Sequence, residues 1–339
     1  MNAADDDAQI ELSEREEILR RLPGVSDAEM PFRGHRLTKE YLMREAARSE
    51  RTAPSRRSKR PLFISLGVVA AACAVAVAFT LGGNGPGDHA EAAKPDPAAV
   101  QLLDRIALAA AESSAPAVRD GQFLYTKTSG HSTSLSEVAG GEMEPARTDE
   151  SAEQWVSVDG SAKTMTRTAK GTEVDPQTDP GQGKPSINGP TYRFLESLPT
   201  DPDKLLELIY ADTRLNHGKD SGSTTGPDQE AFVAIGDLLR TMEAPPGVSA
   251  ALYRAAARIP GVVMVPDSTD SVGRAGVAVA RVHKGERTEW IFDKSSLRLL
   301  GERTLLLKDS AWGKAGTPVT SVSIVARGVT DRAGQLPRQ

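Results

Sequence analysis

The sequence is almost free of cysteine. Its 339 residues include one cysteine, Cys73. A chain with a single cysteine has no internal disulfide and no metal site built from several thiolates. Any exported part of this protein must therefore be stabilised by its core, and residues 98–330 are numerous enough to form one.

Histidine and the known catalytic motifs are equally scarce. The five histidines are scattered, and none has a second His or Cys at metal-ligand spacing: they are His35, His89, His131, His217 and His283. There is no Gly-x-Ser-x-Gly elbow, Walker loop, dinucleotide fingerprint or HExxH motif. The stretch GQGKPS at 181–186 lacks the flanking strand and helix of a phosphate loop. We therefore predict no catalytic, cofactor-binding or metal residues, and no enzymatic activity.

Charged residues are absent from the run Leu62–Leu81, which reads LFISLGVVAAACAVAVAFTL. Twenty helical residues span about 30 Å, the thickness of the hydrocarbon core of a bilayer. Its ten strongly apolar residues favour insertion by about 3 to 6 kcal/mol. The run predicts one transmembrane helix; the other interpretation is a buried helix of a soluble domain.

The two flanks of this run differ in charge. Residues 42–61 carry seven basic and two acidic side chains, whereas residues 82–101 carry one basic and three acidic ones. Basic flanks stay in the cytoplasm, so the N-terminus is predicted inside and the C-terminal part outside. A cleavable signal peptide would have a shorter apolar region and would not follow some sixty residues. We therefore predict an uncleaved anchor in the cell membrane.

Composition and periodicity divide the chain into five parts. These are a cytosolic arm with short helices (1–61), the transmembrane helix (62–81), a flexible linker (82–97), an extracytoplasmic domain (98–330) and a tail (331–339). The arm could contact a cytosolic regulatory protein through residues 10–48, or it could be a solvated and partly disordered segment. The remainder of the chain is mildly acidic, which argues against nucleic acid as a partner.

The extracytoplasmic part is predicted to be α+β, with a curved antiparallel sheet and helices packed against one face. Strands are expected at 122–128 and in a hairpin that turns at Asp159-Gly160, and the segment 129–150 is expected to be a loop. The helical segments are predicted at 97–113, 192–198, from Pro202, at 227–242 and at 247–259. A meander is expected at 262–265, 276–283, 287–293, 297–308 and 319–328. Asp201 and Asp203 are interpreted as helix-start residues, and Trp155 and Trp290 as core residues or, alternatively, as the lining of a groove.

Several stretches resemble a family of uncharacterised actinobacterial single-pass membrane proteins whose genes often neighbour those of extracytoplasmic-function sigma factors. The matching stretches are HRLTKEYLMREA (35–46), QFLYTKT (122–128), EQWVSVDGS (153–161), YRFLESLPTDPDKLLELIY (192–210), DLLRTMEAPPGVSAALYRAAARIPGV (237–262), GVAVARV (276–282) and EWIFDKSSLRLLGERTLLL (289–307). The family carries no established activity, so the resemblance implies no site residues. The order of sheet, helices and sheet also looks like the half-barrel of lipoprotein carriers and anti-sigma-regulator sensor domains, a likeness of fold alone.

Two functions remain open from the sequence. The first is a membrane-anchored sensor or regulator linked to a sigma factor, with a hydrophobic or protein ligand bound outside. The second is an extracytoplasmic module that binds or carries a lipid or peptide and has no cytosolic signalling role. Both require the lipid bilayer as a partner.

Overall fold

The computed structural model describes residues 94–114, 117–138, 142–174, 185–216 and 226–338. The five helices of these residues are α1 (Pro97–Ala111), α2 (Tyr192–Glu196), α3 (Pro202–Asn216), α4 (Pro227–Thr241) and α5 (Pro246–Ala256). Among the described residues, no helix is both long and apolar enough to cross a membrane. The predicted transmembrane run 62–81 and the cytosolic arm lie outside the described residues.

Ten strands form one antiparallel sheet. The strands are β1 (Phe123–Glu137), β2 (Met143–Asp149), β3 (Ala152–Ser157), β4 (Met165–Thr168), β5 (Gly171–Val174), β6 (Val262–Thr269), β7 (Ala275–His283), β8 (Glu286–Phe292), β9 (Leu299–Leu306) and β10 (Pro318–Thr330). Their order across the sheet is β5-β4-β3-β1-β10-β9-β8-β7-β6, and β2 also pairs with β1. The predicted α+β class and the meander β6 to β10 are therefore confirmed.

The longest strand, β1, joins the two halves of the sheet. One edge of β1 pairs with β10 over Phe123–Ser132, while its other edge pairs first with β3 and then with β2. The four helices α2 to α5 lie in the sequence between the first five strands and the last five. Long-range pairing between β1 and β10 thus joins the two halves of the sheet.

The two faces of the sheet are covered differently. Side chains alternate along each strand, so every second residue points to the helices. On this helix face, Trp290 of β8 stacks on Phe232 of α4 at a centroid distance of 4.0 Å. Tyr253 of α5 meets Phe292 edge-on at 5.7 Å. The other side of the sheet, which we call the open face, carries mostly polar side chains and two small apolar clusters.

Helix α4 approaches the sheet very closely because residue 236 is glycine. A Cβ atom at Gly236 would lie 2.5 Å from Nε1 of Trp290 and 2.8 Å from Oε2 of Glu302. The C-terminal end of α4 is tied to the sheet by Arg327, whose Nη2 donates to the carbonyl oxygens of Leu239 and Arg240. A cation placed on these unpaired carbonyls is favourable at a helix C-terminus.

Helix starts follow the predicted chemistry. The Asp201 side chain accepts hydrogen bonds from the backbone N–H groups of Asp203 and Lys204, both at 3.0 Å, directly before Pro202. Asp96 accepts from Ala98 N at 3.1 Å and also from Met264 N at 3.2 Å. Asp96 therefore starts α1 and ties it to the edge strand β6.

Two local predictions were wrong. Residues 129–150 are not a loop, because β1 continues to Glu137 and β2 follows it. These segments lack an apolar pattern, but they pair with β10 and with each other. The hairpin of β3 and β4 is present, yet seven residues connect its strands instead of the two-residue turn. Val158 leaves the sheet to enter the core, and Asp159 organises the connection by accepting from Ser157 Oγ and Ser161 N.

Candidate functional site

An aromatic cluster on the open face is covered by the C-terminal residues of the chain. Phe123 and Tyr125 of β1 and Trp155 of β3 form this cluster, and Met165 of β4 packs beside them. Trp155 is 0% exposed, and none of the five described helices contributes a residue to its cluster. Ala162 of the β3–β4 connection packs on the cluster, and so does Ala333 of the C-terminal segment, residues 331–338.

The C-terminal segment is held through its backbone. The indole Nε1 of Trp155 donates to the carbonyl oxygen of Gln335 at 2.6 Å. Arg167 Nη2 lies 3.5 Å from the carbonyl oxygen of Gly334, a longer contact of the same kind. Both donors are side chains of the sheet, and both acceptors are main-chain atoms that any residue would supply. The sheet therefore contacts main-chain oxygens of a turn, in which Gln335 N donates to Arg332 O at 3.3 Å.

Two glycines define the path of this segment. Gly334 has a φ of +83°, a conformation that L side chains rarely adopt. On the strand beneath, a Cβ atom at Gly328 would lie 2.5 Å from the ring of Pro337. The proline ring thus occupies the space that a side chain at residue 328 would fill. We call the surface formed by Trp155, Arg167, Gly328 and the aromatic cluster the tail cradle.

A carboxylate organises the polar rim of the tail cradle. Glu153 accepts from Tyr125 Oη at 2.8 Å and pairs with Arg167 at 3.3 Å. The guanidinium of Arg167 lies 4.9 Å above the ring of Trp155. Burial, together with the hydrogen bond to Glu153, raises the pKa of Tyr125 to about 12, and the same hydrogen bond lowers the pKa of Glu153. Tyr125 stays a neutral donor and Glu153 a charged acceptor at any physiological pH.

A polar groove of about 820 Å³ runs beside the C-terminal segment. It is lined by Ala117, Arg119, Gln122, Arg327, Gly328, Val329, Thr330, Asp331, Arg332, Gln335, Leu336, Pro337 and Arg338. Asp331 accepts from Gln122 at 2.7 Å and pairs with Arg119 at 3.3 Å. Leu336 is 63% exposed at this groove, so the segment presents one apolar side chain to solvent.

Farther along the open face, a buried carboxylate is surrounded by arginines. Glu289 of β8 is 0% exposed. Its Oε1 accepts from Arg287 Nε at 2.7 Å, and its Oε2 accepts from Arg303 Nε at 2.8 Å. Ser268 Oγ donates to the same Oε2 at 2.6 Å. Both carboxylate oxygens are satisfied, so this group acts as a structural tie between β6, β8 and β9.

The loop between β6 and β7 is fastened to the open face as well. Arg274 pairs with Asp270, and its Nη2 donates to the backbone oxygens of Leu300 at 3.1 Å and Ile324 at 2.9 Å. Ser271 Oγ lies 2.6 Å from both Ser129 O and Ser323 Oγ. A carbonyl can only accept, so the Ser271 hydrogen goes to Ser129 O and the Ser323 hydroxyl donates to Ser271. The loop therefore links β7 to strands β9, β10 and β1.

Of the five histidines, the structure describes His131 and His283. His131 Nε2 lies 3.1 Å from Pro318 O, and its Nδ1 lies 2.8 Å from Arg147 Nη2. Because the carbonyl only accepts and the guanidinium only donates, Nε2 carries the hydrogen and Nδ1 accepts. Burial lowers the pKa of His131, and the charge of Arg147 acts in the same direction. His131 is thus a neutral link between β1, β2 and β10.

The predicted absence of site residues is only partly examined by the structure. Within the described residues, no three His, Cys, Asp or Glu side chains come together as a metal site. Asp201 and Asp203 lie at the start of α3, as expected for helix-start residues. Trp290 is buried in the large core, as predicted, whereas Trp155 is buried in the separate cluster on the open face. The stretch 181–184 lies outside the described residues.

The sequence analysis missed the tail cradle. Residues 331–338 carry no apolar periodicity, so they were predicted only as a tail. The available signals are Gly334, which permits a left-handed backbone, and Pro337, which fixes φ, in a short polar stretch. Comparisons with family models, with curated proteins and with solved structures return no match for this chain.

Proposed function

We propose that this chain is a single-pass membrane protein whose C-terminal domain binds a protein or peptide partner outside the cytoplasm. The observation that carries the proposal is the uncharged run 62–81 with its unequal flanks, net +5 before it and net −2 after it. The open face of the folded domain supports the binding role, because one part of it already holds residues 333–335 through a backbone carbonyl.

A regulatory role extends this proposal to the cytosolic side. Residues 10–48 would contact a cytosolic regulatory protein, and the resemblance to proteins encoded beside sigma factors makes a sigma factor the first partner to test. Binding outside would then change the exposure or pairing of the arm inside. Residues 1–93 lie outside the described part of the chain, so this role is supported by sequence alone.

The lipid-carrier alternative receives less support from the described residues. A bound acyl chain needs an apolar cavity. On the helix face, Trp290 and Phe232 are stacked at 1% and 0% exposure and leave no space between them. The groove beside the C-terminal segment is lined mainly by polar and charged side chains. A peptide fits these surfaces better than a lipid does.

Topology is the decisive test of the proposal. Intact cells expressing the chain with a C-terminal tag are treated with protease, and the same cells are treated after lysis. We expect the C-terminal domain to be cleaved in intact cells while an N-terminal tag is spared. A matched variant with the basic residues 56, 57, 59 and 60 changed to acidic ones should weaken this orientation. Protection of the C-terminal domain in intact cells would refute the proposal.

The regulatory role has its own test. Residues 1–40 are replaced by an unrelated soluble sequence of equal length, and membrane insertion is measured together with the phenotype of the cells. Loss of the phenotype with intact insertion supports a cytosolic partner. An unchanged phenotype favours the purely extracytoplasmic binding module.

A further inference from the structure

We propose that the tail cradle is an exchangeable peptide-binding site, which the chain's own C-terminal segment occupies. The class of ligand is a segment of an envelope protein with the pattern small residue, Gly, any two residues, Pro, which can form the same turn as residues 332–335. This inference names the class of peptide that the proposed binding function would use. It rests on that function in one respect, namely that the partner is an envelope protein. Its chemistry follows from the contacts of residues 333–337.

Recognition of main-chain atoms is the first argument. Trp155 Nε1–H donates to the Gln335 carbonyl, and the Gln335 side chain itself is exposed. A side-chain donor that binds a backbone carbonyl does not depend on which residue supplies the carbonyl. The indole of Trp155 has only this one donor, and the Gln335 carbonyl satisfies it.

The shape of the cradle supplies selectivity. Ala333 packs on the aromatic cluster, Gly334 adopts its left-handed conformation, and Pro337 fills the space above Gly328. A residue other than glycine at position 334 would be strained by its φ of +83°, whereas a Cβ atom there would meet Arg167 Nη2 and Met165 Sδ at ordinary contact distances of 3.6 and 3.7 Å. A competing peptide must therefore carry Gly and Pro at this spacing.

The surroundings allow a segment to enter and leave. The groove of about 820 Å³ runs alongside residues 335–338, and Leu336 is exposed within it. Residues 331–338 belong to no helix or strand, and segments outside the regular elements open at lower cost than the core. The core on the helix face does not include any residue of this segment. Exchange at the cradle would leave that core intact.

The test uses the full chain in detergent. A flexible insertion between Asp331 and Arg332 carries the recognition site of a specific protease. Cleavage after folding leaves the peptide RAGQLPRQ held without a covalent link. A fluorescent copy of this peptide is added, and its anisotropy is measured. We expect saturable binding to the cleaved chain and at least about tenfold weaker binding to the uncleaved chain, whose tethered segment competes at high effective concentration.

Two peptide variants show whether the labelled peptide occupies the cradle. Gly334→Val should weaken binding about tenfold, because a β-branched residue at positive φ is strained. Gln335→Ala is the matched control and should bind unchanged, since only its carbonyl is used. Equal binding of the Gly334→Val peptide would overturn the proposal, because the label would then be held elsewhere.

The remaining outcomes also decide the question. If the cleaved chain keeps its own fragment and takes up no label over a day, the segment is a permanent part of the fold and the proposal is refuted. Loss of cooperative unfolding after cleavage would also refute the proposal. A second variant, Gly328→Ala in the uncleaved chain, should push Pro337 aside and make the segment sensitive to carboxypeptidase. These results do not depend on topology, so the proposed membrane orientation can fail independently.

Discussion

The two buried tryptophans of the sheet are covered in different ways. Trp290 lies on the helix face beneath Phe232 of α4, and both side chains belong to the large core. Trp155 lies on the open face beneath residues 333–335, in a cluster of three buried residues. The exposed fraction of the two indoles is nearly the same, at 1% and 0%.

The difference shows that burial alone does not distinguish a core from a binding surface. The cover of Trp290 is part of a helix that also packs against other helices and cannot leave without unfolding the domain. The cover of Trp155 is Ala162 together with residues 333–335, and the carbonyl oxygens of Gly334 and Gln335 face side-chain donors of the sheet. The open face is otherwise tied together by charged and polar groups, above all Glu289 and the loop of Arg274.

The largest expected effect is on the helix face. Trp290→Ala removes the stacked partner of Phe232 and leaves a cavity, so we expect a loss of about 3–5 kcal/mol in the free energy of unfolding. Chemical denaturation measures this loss. The matched control Leu108→Ala, at a residue that is 55% exposed, should change the free energy by less than about 0.5 kcal/mol. Similar values for both variants would show that the helix face is not the main core.

The buried carboxylate of the open face should come next. Glu289→Gln leaves Arg287 and Arg303 without their anion, and we expect a loss of about 2–3 kcal/mol, less than for a fully buried pair because both arginines reach solvent. The control Asp267→Asn breaks the exposed pair with Lys294 and should have no measurable effect. If Glu289→Gln leaves the free energy of unfolding unchanged, the ion pairs of Glu289 do not stabilise the open face.

The close approach of α4 predicts a smaller loss. Gly236→Ala places a methyl group against Trp290 and Glu302, and overpacking costs about 1–3 kcal/mol. The better helix propensity of alanine returns up to about 1 kcal/mol. Gly247→Ala in α5 is the matched control, because its Cβ atom would meet Thr200 at an ordinary 3.5 Å. Thermal unfolding should separate the two variants, and equal melting temperatures would contradict this packing.

The smallest effect is a pH dependence on the open face. The pKa of His131 is lowered in the folded chain by burial, so the unfolded chain binds its proton more readily. The stability that neutral His131 contributes is present above its ordinary pKa near 6.5 and is lost as the pH falls through the lower folded value. His131→Gln keeps a donor for Pro318 and an acceptor for Arg147 without titrating. We expect a shallower loss of stability between pH 7.5 and 5 in this variant, and identical profiles would refute the assignment.

Much of the fold could be predicted from the sequence because its signals are local. Asp201-Pro202 starts α3 as expected, and the apolar alternation of 276–283 and 287–293 predicts β7 and β8. The second half of β1 and strand β2 could not be predicted, because their Ser, Thr and Glu residues carry no apolar pattern. This half of β1 pairs with β10, for example His131 with Ser321, 190 residues away, and it also pairs with β2. The prediction of a two-residue turn at Asp159-Gly160 was wrong because Val158 packs in the core.

The sequence by itself determined the uncharged run 62–81, its unequal flanks, the lack of disulfides and the start of each long helix. These features depend on composition or on neighbours within one or two turns of chain. Only the tertiary structure decided which face of the sheet each tryptophan occupies, which arginines meet Glu289 and what covers Trp155. Apart from Arg287, which is two positions from Glu289, those contacts join residues from 14 to 180 positions apart. Their geometry depends on strand register, which no local pattern specifies.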